Sequence, residues 1–284
     1  MNPQTDSVQC ISPAGLHRMA YRQWGNPENP RVLVCVHGLT RSARDFDRLA
    51  QNLCDHYRVV CPDVVGRGDS DWLRDPKYYE VPQYVADMVT LLARLHAETV
   101  HWFGTSMGGL IGMGLAALPD SPIKKLVLND VGPVLNGVAL KRIGDFVGTQ
   151  MTFESYEQAE QTIRTVSAPF GPHSDAEWRA LTDSVVRQKN GQWTLHYDPA
   201  IGINARAQAA SVPDTLEFWW GYDPITCPVL AVRGEHSDLL SRATHQQMGQ
   251  RGPKAQLVEI PGVGHAPTFM HDDQIEIVRR FLLG

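Results

Sequence analysis

The sequence predicts an α/β fold, in which a mostly parallel sheet is flanked by helices and interrupted by a helical insertion. Short apolar runs, each followed by a loop rich in glycine or polar residues, indicate buried strands of a parallel sheet. They alternate with helical patterns up to residue 129 and resume near residue 226. Between residues 133 and 223 helical stretches take their place. We therefore expect a core formed by residues 1–132 and 224–284, with a helical lid at 133–223.

The core strands can be followed in order along the chain. They are predicted at residues 31–36, 57–61, 100–103, 124–129, 229–234 and 254–260. In open parallel sheets, ligands bind outside the carboxyl ends of the strands. The residues that directly follow each run are therefore the candidates for a functional site.

One of these runs leads into Gly104-Thr105-Ser106-Met107-Gly108, and a small-residue helix follows until Pro119. A Gly-x-Ser-x-Gly turn between a strand and a helix holds its serine in a strained backbone, with the hydroxyl exposed. Gly104 and Gly108 are required because side chains would collide across so tight a turn. Ser106 is therefore the predicted nucleophile.

A serine nucleophile needs a base that takes its proton and an acid that orients the base. His265 lies in a glycine-rich loop after the last predicted strand and is the expected base. Asp238 lies just past the end of another strand and is the expected acid. Asp130 also ends a strand and is an alternative acid, and Glu235 is a further rival.

These motifs resemble those of the α/β-hydrolase superfamily, in particular its lidded members such as small carboxylesterases, enol-lactone hydrolases and carbon–carbon bond hydrolases. The chain order Ser106, Asp238, His265 is also the order of that family's triad. The resemblance implies an eight-stranded sheet. Serine at the nucleophile position argues against dehalogenase and epoxide hydrolase chemistry, because those relatives form an ester on aspartate. The matching positions are His37-Gly38, Pro62-Asp63 with Gly66, Gly68 and Ser70, Gly104–Gly109, Gly234 with Asp238, and Gly264-His265.

The resemblance also implies an oxyanion hole formed by the backbone N–H groups of Leu39 and Met107, with His37 and Gly38 supporting the loop. It implies hydrolysis of a small carboxylic ester or lactone through an acyl-enzyme on Ser106. Two alternatives stay open. One is hydrolysis of a carbon–carbon bond in a dienoic diketone by the same triad, and the other is a ligand receptor on a hydrolase scaffold. The charge and chain length of the substrate stay open as well.

The predicted lid is rich in aromatic residues, which we expect to contribute to substrate specificity. Trp219 and Trp220 are adjacent and would point in different directions on a helix, so at least one should face the pocket or the domain interface. Phe146 is a third candidate for the pocket wall. The Asn190-Gly191 step indicates that a small hairpin could interrupt the helices.

Composition restricts the partners that can be expected. The net charge of −5, without a polybasic run, gives no reason to expect nucleic acid as a partner. No apolar run approaches the roughly 18 residues of a membrane helix, and no secretory signal is recognisable. The five dispersed cysteines suit a reducing compartment, so we expect a cytoplasmic protein. The histidines and acids show no metal-ligand spacing, so neither a metal nor another cofactor is expected. The oligomeric state is unknown at this stage.

Overall fold

The computed structural model describes residues 2–211 and 213–284 of the chain. Its strands are, in chain order, β1 (Gln4–Ser12), β2 (Gly15–Trp24), β3 (Val32–Val36), β4 (Arg58–Pro62), β5 (Val100–Thr105), β6 (Ile123–Asn129), β7 (Val134–Asn136), β8 (Thr152–Phe153), β9 (Val186–Lys189), β10 (Gln192–Leu195), β11 (Thr215–Glu217), β12 (Val229–Gly234) and β13 (Gln256–Ile260).

The helices follow the strands in the alternation that the sequence predicts. The α-helices are α1 (Asp47–Leu53), α2 (Val81–Leu95), α3 (Met107–Ala116), α4 (Gly137–Phe146), α5 (Tyr156–Val166), α6 (Asp175–Asp183), α7 (Ile201–Ser211), α8 (Arg242–Met248) and α9 (Asp272–Leu283). Short 3₁₀ helices occupy Ala43–Phe46, Pro76–Tyr78, Ala168–Phe170 and Trp219–Gly221.

Eight of the strands form one sheet, in the order β1-β2-β4-β3-β5-β6-β12-β13. Strand β2 runs antiparallel to both of its neighbours, whereas the remaining neighbouring pairs are parallel. The expected eight-stranded, mostly parallel sheet is therefore confirmed. Strand β3 lies between β4 and β5, so the strand order reverses there and a crevice is expected at the carboxyl ends.

Helices cover both faces of this sheet. In β3, Val34 and Val36 face the core that includes buried side chains of α2 and α3. Leu33 and Cys35 face the opposite core, which includes side chains of α1 and α9. Because side chains alternate along a strand, a strand covered on both faces has to be apolar throughout. This is why the central strands are continuous apolar runs in the sequence.

Residues 133–223 combine helices with short strands. Helices α4 to α7 lie here, together with the small sheets β8-β10-β9 and β7-β11. The hairpin at Asn190-Gly191 is present, with Lys189 paired to Gln192. Its two turn residues have φ values of 52° and 82°, as a type I′ turn requires. The remaining short strands were not expected from the sequence, so this segment is mixed rather than wholly helical.

Two further features concern the cysteines and the length of the apolar helices. The five cysteines are free; Cys10, Cys35 and Cys61 are buried, whereas Cys54 and Cys227 are only half-buried. Among the helices that the structure describes, none is both long and apolar enough to cross a membrane.

Candidate active site

Ser106 lies in the sharp turn between β5 and α3, with φ 51° and ψ −114°. A side chain in this region of φ/ψ space is strained, which is typical of functional turns. The turn is held by a hydrogen bond from the Ser106 N–H to the Asn129 carbonyl oxygen (2.9 Å). A β-carbon on Gly104 would overlap the Gly108 carbonyl, and one on Gly108 would overlap the Val36 carbonyl. Both glycines are therefore required by the close approach of the backbone, as the sequence motif predicts.

His265 contacts Ser106 directly. Its Nε2 lies 3.0 Å from the Ser106 Oγ, and its Nδ1 lies 2.7 Å from Oδ2 of Asp130. With Nδ1–H donating to the carboxylate, Nε2 is free to accept the hydroxyl proton of the serine. The histidine side chain is 16 % exposed and the aspartate side chain is fully buried. The three side chains thus form one continuous chain of hydrogen bonds that ends at the cavity.

Two backbone hydrogen bonds fix the position of Asp130 at the end of β6. Its Oδ1 accepts from the Gly234 N–H (2.8 Å), and its own N–H donates to the Val232 carbonyl oxygen (2.8 Å). The residue has a φ of 56°, in the left-handed region that aspartate tolerates better than most residues. Oδ2 is therefore aimed at His265 by contacts with the neighbouring strand β12.

The expectation that Asp238 contacts His265 is wrong for this structure. Asp238 instead pairs with Arg142 of α4 at 2.6 Å, and its side chain is 49 % exposed. Both ring nitrogens of His265 are already engaged by Asp130 and Ser106, which leaves no position for a second carboxylate. Asp130, the alternative acid, occupies the place expected for Asp238. Glu235, the other rival, accepts a hydrogen bond from the Gly262 N–H (2.8 Å).

The loop after β3 lies beside Ser106, the expected nucleophile. A β-carbon on Gly38 would be 3.8 Å from the Ser106 Cβ, and Leu39 and Met107 border the same cavity as Ser106. Met107 is the first residue of α3, so its N–H is among those that the helix itself does not satisfy. The structure thus brings together the residues expected to bind an oxyanion.

His37 supports this loop from the interior. It is fully buried; the Val64 N–H donates to its Nε2 (3.0 Å), and its Nδ1–H donates to the Gly38 carbonyl oxygen (2.7 Å). Burial lowers its pKa to about 4. The neutral ring therefore bridges two loops, which agrees with a supporting position rather than one in proton transfer.

A cavity of about 650 Å³ opens onto Ser106 and His265. Much of its wall is apolar and comes from the 133–223 segment, including Leu140, Ile143 and Phe146. Of the three aromatic residues expected in the pocket, Phe146 is in the wall, but the two tryptophans are not.

The tryptophans lie elsewhere because they form a 3₁₀ turn, not an amphipathic helix. Trp220 is 80 % exposed. Trp219 stacks under the Arg251 guanidinium, 4.0 Å from the ring centroid, and packs edge-on against Tyr222. Neither ring faces the pocket, but Trp219 contacts Arg251 of residues 224–284, which is the other position expected for one of the two, at the interface with the core.

Within the described residues, one group of side chains has the composition of a metal site: Cys10, His17 and Asp87. These buried residues belong to β1, β2 and α2 and do not border the cavity. His17 Nε2 bonds to one Asp87 oxygen at 3.0 Å, and Gln83 donates to the other at 2.8 Å. The carboxylate is thus already satisfied by protein donors.

Comparison with known proteins agrees with this geometry. The family model for the alpha/beta hydrolase fold matches residues 31–272. The 3-hydroxybutyrate-oligomer hydrolase of Cupriavidus necator is 53% identical over 292 aligned residues, covering 100% of this chain and 99% of that protein. A crystal structure from Rickettsia typhi superposes with a TM-score of 0.91 at 31% identity, covering 100% and 99% of the two chains. An alpha/beta hydrolase from Novosphingobium aromaticivorans gives a TM-score of 0.87 at 36% identity, with the same coverage. The chain belongs to the α/β-hydrolase family.

Proposed function

We propose that this hydrolase cleaves carboxylic esters through an acyl-enzyme on Ser106. The observation that carries the proposal is the hydrogen-bonded chain from Ser106 through His265 to Asp130, open to the cavity at its serine end. A hydroxyl, an imidazole and a buried carboxylate in this sequence of contacts are the groups that serine acyl transfer requires.

In the first step, the Ser106 oxygen attacks the ester carbonyl while His265 Nε2 takes the hydroxyl proton. The imidazolium that forms is stabilised by the Asp130 carboxylate, which also keeps the proton on Nδ1 before attack. The tetrahedral intermediate then expels the alcohol, and the alcohol oxygen takes the proton from Nε2. An acyl-enzyme ester on Ser106 is left.

In the second step, water attacks the acyl-enzyme. His265 takes one proton from the water and returns it to the serine oxygen as the acid product leaves. The backbone N–H groups of Leu39 and Met107 are proposed to receive the carbonyl oxygen in both tetrahedral intermediates. Such fixed donors supply much of the rate acceleration in acyl transfer.

We propose short hydroxyacid oligoesters as the substrate class. The support is the 53% identity, over the whole chain, to a protein named as a 3-hydroxybutyrate-oligomer hydrolase. The cavity of about 650 Å³ is within the range of small-molecule sites, and its largely apolar wall suits the methyl-bearing backbone of such esters.

We further propose that residues 133–223 act as a lid over a core formed by 1–132 and 224–284. Support comes from the cavity wall, to which this segment contributes Leu140, Ile143 and Phe146, while the core contributes Ser106 and His265. The ion pair between Arg142 of this segment and Asp238 of the core joins the two parts at the cavity.

The test is hydrolysis of p-nitrophenyl esters from acetate to decanoate by the wild type and by Ser106→Ala. Linear dimers and trimers of 3-hydroxybutyrate are then offered, with products separated by chromatography. Ser121→Ala, which changes a serine two residues before β6 and outside the cavity wall, is the matched control.

We expect turnover by the wild type and the control, and a loss of several orders of magnitude in Ser106→Ala. Retained turnover in Ser106→Ala would reject the nucleophile. If no ester is hydrolysed by the wild type, dienoic diketones would be tried next, and slow single turnover with a retained ligand would favour a receptor. Hydrolysis of simple esters without oligomer cleavage would reject only the substrate class.

A further inference from the structure

Arg67 is a fully buried arginine next to the proposed oxyanion hole. It lies in the turn after β4. Its Nε–H donates to the Leu39 carbonyl oxygen at 2.8 Å, and its Nη2 lies 3.5 Å from the Met107 sulfur. One guanidinium therefore contacts both residues whose backbone N–H groups are proposed to bind the oxyanion.

The other contacts of this guanidinium are neutral. Nη1 donates to the Val65 carbonyl oxygen at 2.7 Å and to the Tyr84 hydroxyl at 3.0 Å. The rings of Tyr84 and Tyr79 lie 4.9 and 5.7 Å from its central carbon. Among the residues that the structure describes, no carboxylate lies within 4.0 Å of its nitrogens. Arg67 is thus a buried cation bonded to neutral groups.

A buried charge without a counterion is costly, and cations in protein interiors are normally paired with an anion. During the reaction a negative charge appears on the carbonyl oxygen of each tetrahedral intermediate, next to a cation that has no direct ion pair. Burial lowers the pKa of His37, and the positive charge of Arg67 makes a smaller contribution in the same direction. The electric field of Arg67 therefore reaches the oxyanion loop.

We propose that Arg67 is a positioning residue for ester hydrolysis, whose guanidinium fixes the Leu39 and Met107 donors and stabilises the oxyanion through its charge. The inference rests on the proposed function. Arg67 exchanges no proton and forms no bond with the substrate. Its contacts are already made in the free protein, so little reorganisation is needed when the oxyanion forms, which is what makes such electrostatic stabilisation effective.

The experiment compares two properties of the wild type, Arg67→Met and Arg67→Lys. The first is steady-state hydrolysis of p-nitrophenyl butyrate. The second is the inhibition constant of n-butylboronic acid, whose boron accepts the Ser106 oxygen while His265 takes the serine proton. The adduct is a tetrahedral anion, so its affinity reports oxyanion stabilisation without knowledge of the natural substrate.

For Arg67→Met we expect kcat to fall by about 10- to 100-fold, which is less than the loss of a direct oxyanion donor. The inhibition constant of the boronate should rise by the same factor, while KM changes less than threefold. Arg67→Lys keeps the charge but loses the planar fork, so we expect an intermediate effect of at least threefold on the boronate.

Arg58→Met is the matched control. Arg58 lies at the opposite end of β4, where it donates to the Gln23 side chain and the Leu95 carbonyl oxygen. The same substitution there should leave the boronate affinity within twofold of the wild type. Thermal melting identifies variants that fold.

A boronate affinity within twofold of the wild type in either folded Arg67 variant would overturn the inference, since a purely structural arginine would change the amount of active protein and not this affinity. Failure of the proposed function is distinguishable: it would appear as a wild type that neither hydrolyses esters nor binds the boronate. That result would remove the serine chemistry and the inference together.

Discussion

Replacing Asp130 by asparagine should inactivate the enzyme while leaving its fold intact. In the wild type, Oδ1 of Asp130 accepts from the Gly234 N–H and Oδ2 accepts from His265. In Asp130→Asn the Gly234 N–H would hold the amide oxygen in place, so the amide NH₂ would face the ring. His265 would then accept at Nδ1 and carry its proton on Nε2, which prevents it from taking the proton of Ser106.

The size of the effect follows from two losses. The first is the attraction between carboxylate and imidazolium, about 4 kcal/mol for unit charges about 4 Å apart at an effective dielectric constant of about 20. This corresponds to about 10³ in rate. The second is the unfavourable tautomer, and the same substitution in serine proteases costs about 10⁴ in total. We therefore expect kcat to fall by about 10³ to 10⁴.

The assay is hydrolysis of p-nitrophenyl butyrate by the wild type, Asp130→Asn and Asp238→Asn. Asp238 is the matched control because it borders the same cavity but pairs with Arg142 instead of His265. We expect its kcat to stay within about threefold of the wild type, because only a half-exposed ion pair is lost. A larger loss in Asp238→Asn than in Asp130→Asn, or more than a tenth of the activity left in Asp130→Asn, would refute this reasoning.

Three further predictions concern strain, pH and the cavity. Ser106→Gly should have a free energy of unfolding in urea about 1 kcal/mol higher than that of Ser106→Ala, because φ 51° and ψ −114° strain any side chain. Equal free energies of unfolding would indicate a relaxed turn. Burial lowers the pKa of His37 from 6.5 to about 4. The unfolded state therefore takes up a proton that the folded state does not, and the wild type should lose about 3 kcal/mol more than His37→Gln as the pH falls from 7 to 4. Parallel pH profiles would contradict this. Phe146→Ala should raise KM for long-chain esters severalfold, whereas Trp220→Ala, which removes an 80 % exposed ring, should not; a similar KM change in both variants would argue against the cavity assignment.

Much of the fold and two of the three residues of the proposed triad were predictable from local sequence. Strands covered on both faces are apolar throughout, so the central strands could be recognised as short runs. The glycines around Ser106 reflect backbone contacts that leave no room for a β-carbon. His265 follows the last strand in a loop whose glycines mark it in the sequence. These features are recognisable because each depends on a few neighbouring residues.

The acid could not be chosen by the same reasoning. Asp130 and Asp238 follow the strands β6 and β12, which are neighbours in the sheet, so both lie at the same edge. What distinguishes them is the direction of the side chain, which depends on the Gly234 N–H across the sheet and on Arg142 in α4. Both are long-range contacts. The left-handed backbone of Asp130 could not be recognised in the sequence, because only glycine marks this conformation clearly.

The tryptophans show a related limit. Adjacent aromatic residues in a helix-rich segment suggested a pocket wall or a domain interface. The chain forms a 3₁₀ turn there, and Arg251 of residues 224–284 covers the Trp219 ring, so the pocket half of this expectation is wrong. The short strands β7, β8 and β11 were missed because two or three residues are too few to show an alternating pattern.

The spacing of the proposed triad along the chain has a consequence for folding experiments. Ser106 and His265 are 159 residues apart, and His265 and Asp130 are 135 residues apart. Their contacts can form only after strands from both halves of the chain have paired, and such long-range pairing is slow to assemble. Covalent labelling of Ser106 by a fluorophosphonate should therefore report complete assembly: during refolding it should lag behind the recovery of helix signal in circular dichroism. During proteolysis it should disappear with the first cut that separates β5 from β13.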